Sequence, residues 1–125
     1  MLLVDTSIWI DHLRGFEPRL VAALGRSNVL QHPMILGELA LGTLRVRTEF
    51  LALLAALPST RVASHAEVSE LIERRRLYGR GLGLVGAHLL ASALLTPGVV
   101  LWTRDRRLGA AAADVGVAAP DPGAR

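Results

Sequence analysis

The sequence predicts a single α/β domain built on a parallel central sheet. Short apolar runs, Leu2-Leu3-Val4 and Val99-Val100-Leu101-Trp102-Thr103, alternate with longer segments of helical periodicity. Each of these runs is followed at once by helix-starting residues, the order that a parallel sheet with crossover helices requires. A chain of 125 residues fits one domain.

Leu2–Val4 reads as a buried strand. Asp5-Thr6-Ser7 offers N-caps for a helix through Ile8, Trp9 and Leu13 to Gly15. Pro18 opens a second helix with Leu20, Val21 and Leu24 on one face and Gly25 at its end. Val29-Leu30-Gln31-His32 reads as a short strand. Pro33 starts a helix that carries Glu38 and ends near Gly42. Thr48–Leu57 forms another helix, stopped by Pro58, and Arg61-Val62-Ala63 reads as a third short strand. Ser64 caps a long helix through Tyr78, with Val68, Leu71 and Ile72 inward and Glu70 paired with Arg74 one turn on. Gly79-Arg80-Gly81-Leu82-Gly83 is a flexible turn. A helix runs from about Gly86 to Leu95 and stops at Pro97-Gly98. Val99–Thr103 is the strongest strand, Arg106–Ala113 a helix, and Val115-Gly116-Val117-Ala118 a weak last strand. There are no internal repeats. Residues 1–119 form the domain and 120–125 a disordered tail.

Hydrophobic residues make up 51% of the chain and the mean hydropathy is +0.40. A small domain buries a limited fraction of its surface, so part of this apolar surface is expected to be covered by a partner chain. No apolar run approaches the ~18 residues of a membrane helix. Asp5 and Asp11 interrupt the apolar N-terminus and no basic region precedes it, which argues against a signal peptide. Without cysteine there is no disulfide framework and no thiolate metal site. The expected location is the cytoplasm.

The net charge is +3, and all 14 basic residues are Arg. A guanidinium fork suits phosphate, although a coding bias toward Arg, Ala and Gly explains the count as well. Aromatic content of 4% excludes base stacking as the main mode of nucleic-acid binding.

Three acids stand out. Asp5 ends the first strand and Asp105 follows the strongest one. Glu38 lies in the otherwise apolar stretch 33–40. In open parallel sheets ligands bind beyond the carboxyl ends of the strands, at the switch point. A carboxylate beside a buried segment is costly unless it is paired or binds a cation. Together they point to a divalent-metal site for phosphodiester chemistry. Each also has an ordinary alternative, as an N-cap (Asp5, Asp105) or a helix-surface residue (Glu38). Thr6, Ser7 and Thr103 place hydroxyls beside the acids, as supporting donors or as plain caps. Arg80, Arg104, Arg106 and Arg107 cluster near the proposed crevice as candidate RNA phosphate contacts. Arg74-Arg75-Arg76 reads as a solvated helix face, with RNA phosphate contact as the alternative. His32, His65 and His88 show no metal-ligand spacing and read as structural or surface residues.

Asp5-Thr6-Ser7-Ile8-Trp9-Ile10-Asp11 resembles the opening of PIN-domain proteins, and more narrowly of the VapC ribonuclease toxins of type II toxin–antitoxin pairs. Gly37-Glu38-Leu39-Ala40-Leu41-Gly42 resembles the family's second block. Tyr78–Gly83 leads into the third, and Leu101-Trp102-Thr103-Arg104-Asp105-Arg106-Arg107-Leu108 resembles the fourth. The resemblance implies a three-layer α/β/α PIN-like fold and Mg²⁺- or Mn²⁺-dependent endoribonuclease activity. It implies a homodimer or toxin–antitoxin hetero-oligomer, neutralised by a VapB-like antitoxin lying in an apolar groove. The family's first acid maps to Asp5, its second to Glu38 and its last to Asp105, with Asp5 and Asp105 as metal ligands.

The chain departs from the pattern at Gly86, where the family has an acid that helps hold the metal. Glycine supplies no side-chain oxygen, so the resemblance implies a site impaired at this position. Asp11, at the wrong depth in the first helix, and Asp114, in the last, do not replace it. The alternative is a catalytically inactive PIN-like protein that acts by binding antitoxin or RNA. A phosphoacceptor receiver domain also gathers acids at strand ends, but it relies on an active-site Lys, and this chain has none.

Overall fold

The computed structural model describes residues 1–120. Of the expected tail, residues 121–125 lie outside the described residues. The elements run β1 (Leu2–Val4), α1 (Thr6–Gly15), α2 (Pro18–Gly25), β2 (Val29–Leu30), α3 (Pro33–Leu41), α4 (Arg47–Ala55), α5 (His65–Arg74), α6 (Leu84–Leu95), β3 (Val100–Trp102) and α7 (Arg106–Asp114). Among the described residues, seven helices thus accompany a three-stranded sheet, which is wholly parallel in the order β2-β1-β3. Leaving β1, the chain crosses one way to β2 and then back over β1 to β3. Right-handed crossovers therefore put α1–α2 and α3–α6 on opposite faces. The direction reverses between β1 and β3, which makes their carboxyl ends the switch point.

The register fixes that end. Val4 pairs with Trp102, and the Asp5 N–H donates to the Trp102 carbonyl at 2.9 Å. Asp5 and Thr103 therefore leave the sheet at one level. Leu3, Val4, Leu101 and Trp102 are buried, and the core closes over them with Ile8, Leu20, Ile35, Leu54, Leu89 and Leu90. Helix α6 buries every residue from Ala87 to Ala93, as expected of a helix apolar all round.

The chain departs from the sequence expectation at four places. Segment 61–63 is not a strand. Its backbone donors turn to side chains of α6 and its C-cap instead: Arg61 N–H to Thr96 Oγ1 at 3.1 Å and Ala63 N–H to Ser92 Oγ at 3.3 Å. The pairing beside β2 is a single bridge between Gln31 and Ser59. The last strand is likewise reduced to one bridge, Leu101 with Ala118, after a turn at Gly116 with φ +83°. Helix α5 ends at Arg74, four residues before Tyr78, because Arg76 takes φ +52°. The Arg76 N–H then reaches Glu73 and the Leu77 N–H reaches Ile72, the two bonds of a Schellman cap. Finally, α6 begins at Leu84, so Gly86 is its third residue, inside the first turn.

Candidate active site

Asp5, Thr6, Ser7, Glu38, Gly86 and Asp105 line one cavity of about 340 Å³ at the carboxyl ends of β1 and β3, closed by Leu82, Val85 and Leu108 among others. The acids reach it from three elements: the end of β1, the middle of α3 and the start of α7. Asp5 is 7% exposed, whereas Glu38 and Asp105 are exposed. Glu38 stands on the wetted wall of the cavity, while its neighbour Leu39 faces the core.

Each acid is anchored through one oxygen. Asp5 Oδ2 accepts from Ser7 Oγ at 2.9 Å and from Thr103 Oγ1 at 2.7 Å. Glu38 Oε1 accepts from Thr6 Oγ1 at 2.7 Å. Asp105 Oδ1 accepts the N–H groups of Arg107 at 3.0 Å and Leu108 at 3.1 Å, which also caps α7. Asp5 holds the N-cap position of α1 but makes no side-chain cap bond. The hydroxyls of Thr6, Ser7 and Thr103 are therefore spent on carboxylates. Among the described residues the second oxygen of each acid has no partner within the chain.

None of the four candidate arginines lines the cavity. Arg80 pairs with Asp114 at 2.8 Å. Arg107 packs against Gly81, where a Cβ would lie 2.6 Å from its Nη1 and where φ is +77°. Arg106 is exposed at the start of α7. Arg104 bonds Asp11 at 2.9 Å and Glu17 at 2.6 Å, with its guanidinium 5.8 Å from the Trp102 ring centroid.

Sequence reasoning missed two residues beside the site, and it read His32 as structural or surface without seeing what it does. Asp11, set aside there, and Glu17 form the acidic partners of Arg104. His32 is fully buried and caps α3: its Nδ1 accepts the Met34 N–H at 3.0 Å, which leaves Nε2 to donate to Ser92 Oγ at 2.9 Å. Its place immediately before Pro33, an N1 proline, marks it as the residue in the N-cap slot. Burial first, and then the nearby His88, push its pKa down to about 4.

At Gly86, a Cβ would meet Leu108 Cδ1 at 3.2 Å. An acid there requires Leu108 to move by a few tenths of an ångström. Among the described residues no group of three or more His, Asp or Glu is arranged to hold a metal ion directly. The donor chemistry still fits a hydrated one: hard carboxylate oxygens around a wet cavity suit Mg²⁺ or Mn²⁺, which bind through one or two carboxylates and keep several waters.

Two comparisons place the chain among known proteins. The model of the PIN domain matches residues 2–114. Ribonuclease VapC32 of Mycobacterium tuberculosis, from strain CDC 1551 / Oshkosh and from strain ATCC 25618 / H37Rv, is 53% identical over 118 residues, which span 94% of this chain and 95% of each relative. With the acids gathered at the switch point of a parallel sheet and this likeness over almost the whole length, the chain belongs to the PIN-domain family, within its VapC branch.

Proposed function

We propose that this chain is a metal-dependent endoribonuclease toxin, neutralised by a cognate VapB-like antitoxin and weakened as it stands by Gly86. The observation that carries the reading is that Asp5, Glu38 and Asp105 share one cavity, each with one oxygen anchored and one left over. Asp5 and Asp105 would hold Mg²⁺ or Mn²⁺ with retained waters, and Glu38 would face the same water shell. When bound, such an ion offsets phosphate charge and makes water more acidic. The chain's own part is positioning. Ser7, Thr103 and the amides of α7 fix the carboxylates before substrate arrives, and Thr6 fixes Glu38.

The likeness to a ribonuclease VapC supports both RNA as substrate and the antitoxin. Exposed apolar side chains support a protein partner, whether antitoxin or a second copy: Leu41 is 91% exposed, Leu53 70% and Val46 68%. No described helix is long and apolar enough to cross a membrane, in keeping with action in the cytoplasm. Gly86 favours a second reading, a catalytically inactive protein that acts by binding antitoxin or RNA.

Cleavage of a structured RNA, with and without chelator, tests the proposal. Metal-dependent cleavage that Asp5→Asn removes is expected. The absence of cleavage both in this chain and in Gly86→Asp would leave the binding reading.

A further inference from the structure

Arg104 precedes Asp105, yet its side chain is engaged away from the cavity. Its Nη1 donates to Asp11 Oδ2 on α1 and its Nη2 to Glu17 Oε2 at the N-cap of α2. The Arg104 side chain is 21% exposed and that of Glu17 11%, so the inner arm of the fork is largely withdrawn from water. Glu17 is firmly set, since its Oε1 accepts the Arg19 N–H and its own N–H donates to His12 Nδ1. The hydrogen bond from Arg104 is also the largest influence holding its carboxyl below the usual range. The backbone of the same loop is tied to the other side. Arg104 N–H donates to Ser7 Oγ at 3.1 Å, and Asp105 N–H to Thr103 Oγ1 at 3.0 Å. Those two hydroxyls are the donors to Asp5.

We infer that Arg104 is a positioning residue: its fork on Asp11 and Glu17 fixes the loop between β3 and α7, and so holds the Asp105 carboxylate against Asp5. A guanidinium bridges two carboxylates in fixed geometry, and an ammonium does not. Arg104 is thus a strut of the acidic site rather than a phosphate contact. The inference rests on the reading of that cavity as a divalent-ion site.

The test is the double variant Arg104→Met with Glu17→Gln. It strands no buried charge, and Gln keeps the oxygen that caps α2. Mn²⁺ affinity should fall at least tenfold, the range found when groups that orient metal ligands are removed. Affinity for a single-stranded RNA in chelator, and its dependence on salt, should stay unchanged. Arg104→Lys should recover part of the Mn²⁺ affinity. A phosphate-contact role predicts the reverse, with Mn²⁺ binding intact, RNA binding weakened and the salt slope reduced by about one. That result would overturn the strut, as would unchanged Mn²⁺ affinity or a Lys variant no better than the Met one. Should the unmodified protein bind no Mn²⁺, the reading of the cavity falls, and amide exchange decides the strut by itself. Exchange at Arg107 and Leu108 at least ~tenfold faster in the double variant carries it, and unchanged exchange overturns it.

Discussion

Two groups of acids flank the loop between β3 and α7, and they are completed differently. On one side Asp11 and Glu17 meet the guanidinium of Arg104. On the other, Asp5, Glu38 and Asp105 meet only hydroxyls and amides. Each carboxylate of the first group has a cationic partner within the chain. The second has its carboxylates fixed in place but no cation among its described partners. Carboxylates set side by side repel, and a divalent ion relieves that repulsion. The contrast separates charge used to hold the fold from charge kept for a ligand.

The contrast can be broken by acid. Its loss of stability should come from outside the cavity, first from His32. The folded His32 has its pKa lowered from 6.5 to about 4, so the unfolded chain takes up the proton first as pH falls. Its contribution is complete above about pH 6.5 and is lost toward pH 4, amounting to about 3 kcal/mol. Denaturant unfolding across that window should show the loss, and His32→Asn, which keeps a capping oxygen, should flatten it. Glu17, with its carboxyl lowered from 4.5, adds a further loss at lower pH.

A smaller effect separates the two acid groups directly. Arg104→Met alone removes the nearest cation from a largely buried Glu17, leaving it only the Arg19 guanidinium at 3.8 Å, and should cost about 2 kcal/mol in denaturant unfolding. Asp105→Asn in chelator should cost far less, since Asn still caps α7 and one repelling charge is gone. Equal losses would erase the distinction. Smaller again is the effect at Gly86. Gly86→Asp should raise RNA cleavage at least tenfold, about 1.4 kcal/mol in barrier. Its Cβ presses Leu108 from 3.2 Å, so stability without metal should drop. Equal cleavage by the two forms would show that Gly86 is not the missing ligand.

What the sequence revealed followed local signals. Pro18, Pro33 and Ser64 mark the helix starts because capping chemistry acts within one turn. The apolar runs ending at Asp5 and Asp105 locate the switch point, and with it most of the cavity. Signals that depend on distant partners were not legible. Segment 61–63 has strand-like residues, but its donors go to Ser92 on α6 and to Thr96 at its C-cap. Helix α5 stops at a left-handed Arg76, where sequence gives no glycine to mark the end. Arg104 stood beside the site in sequence but turns to Asp11 and Glu17, residues brought near only by the crossover from β1.

The most direct test of a cavity built for a divalent ion is the melting temperature with and without Mn²⁺, in the unmodified protein and in Asp5→Asn. At about ten times its Kd, Mn²⁺ should raise the melting temperature of the unmodified protein by about 4 °C. Asp5→Asn should melt no lower in chelator and should show no rise with Mn²⁺. A rise of the same size in Asp5→Asn, or none in either protein, would contradict the account.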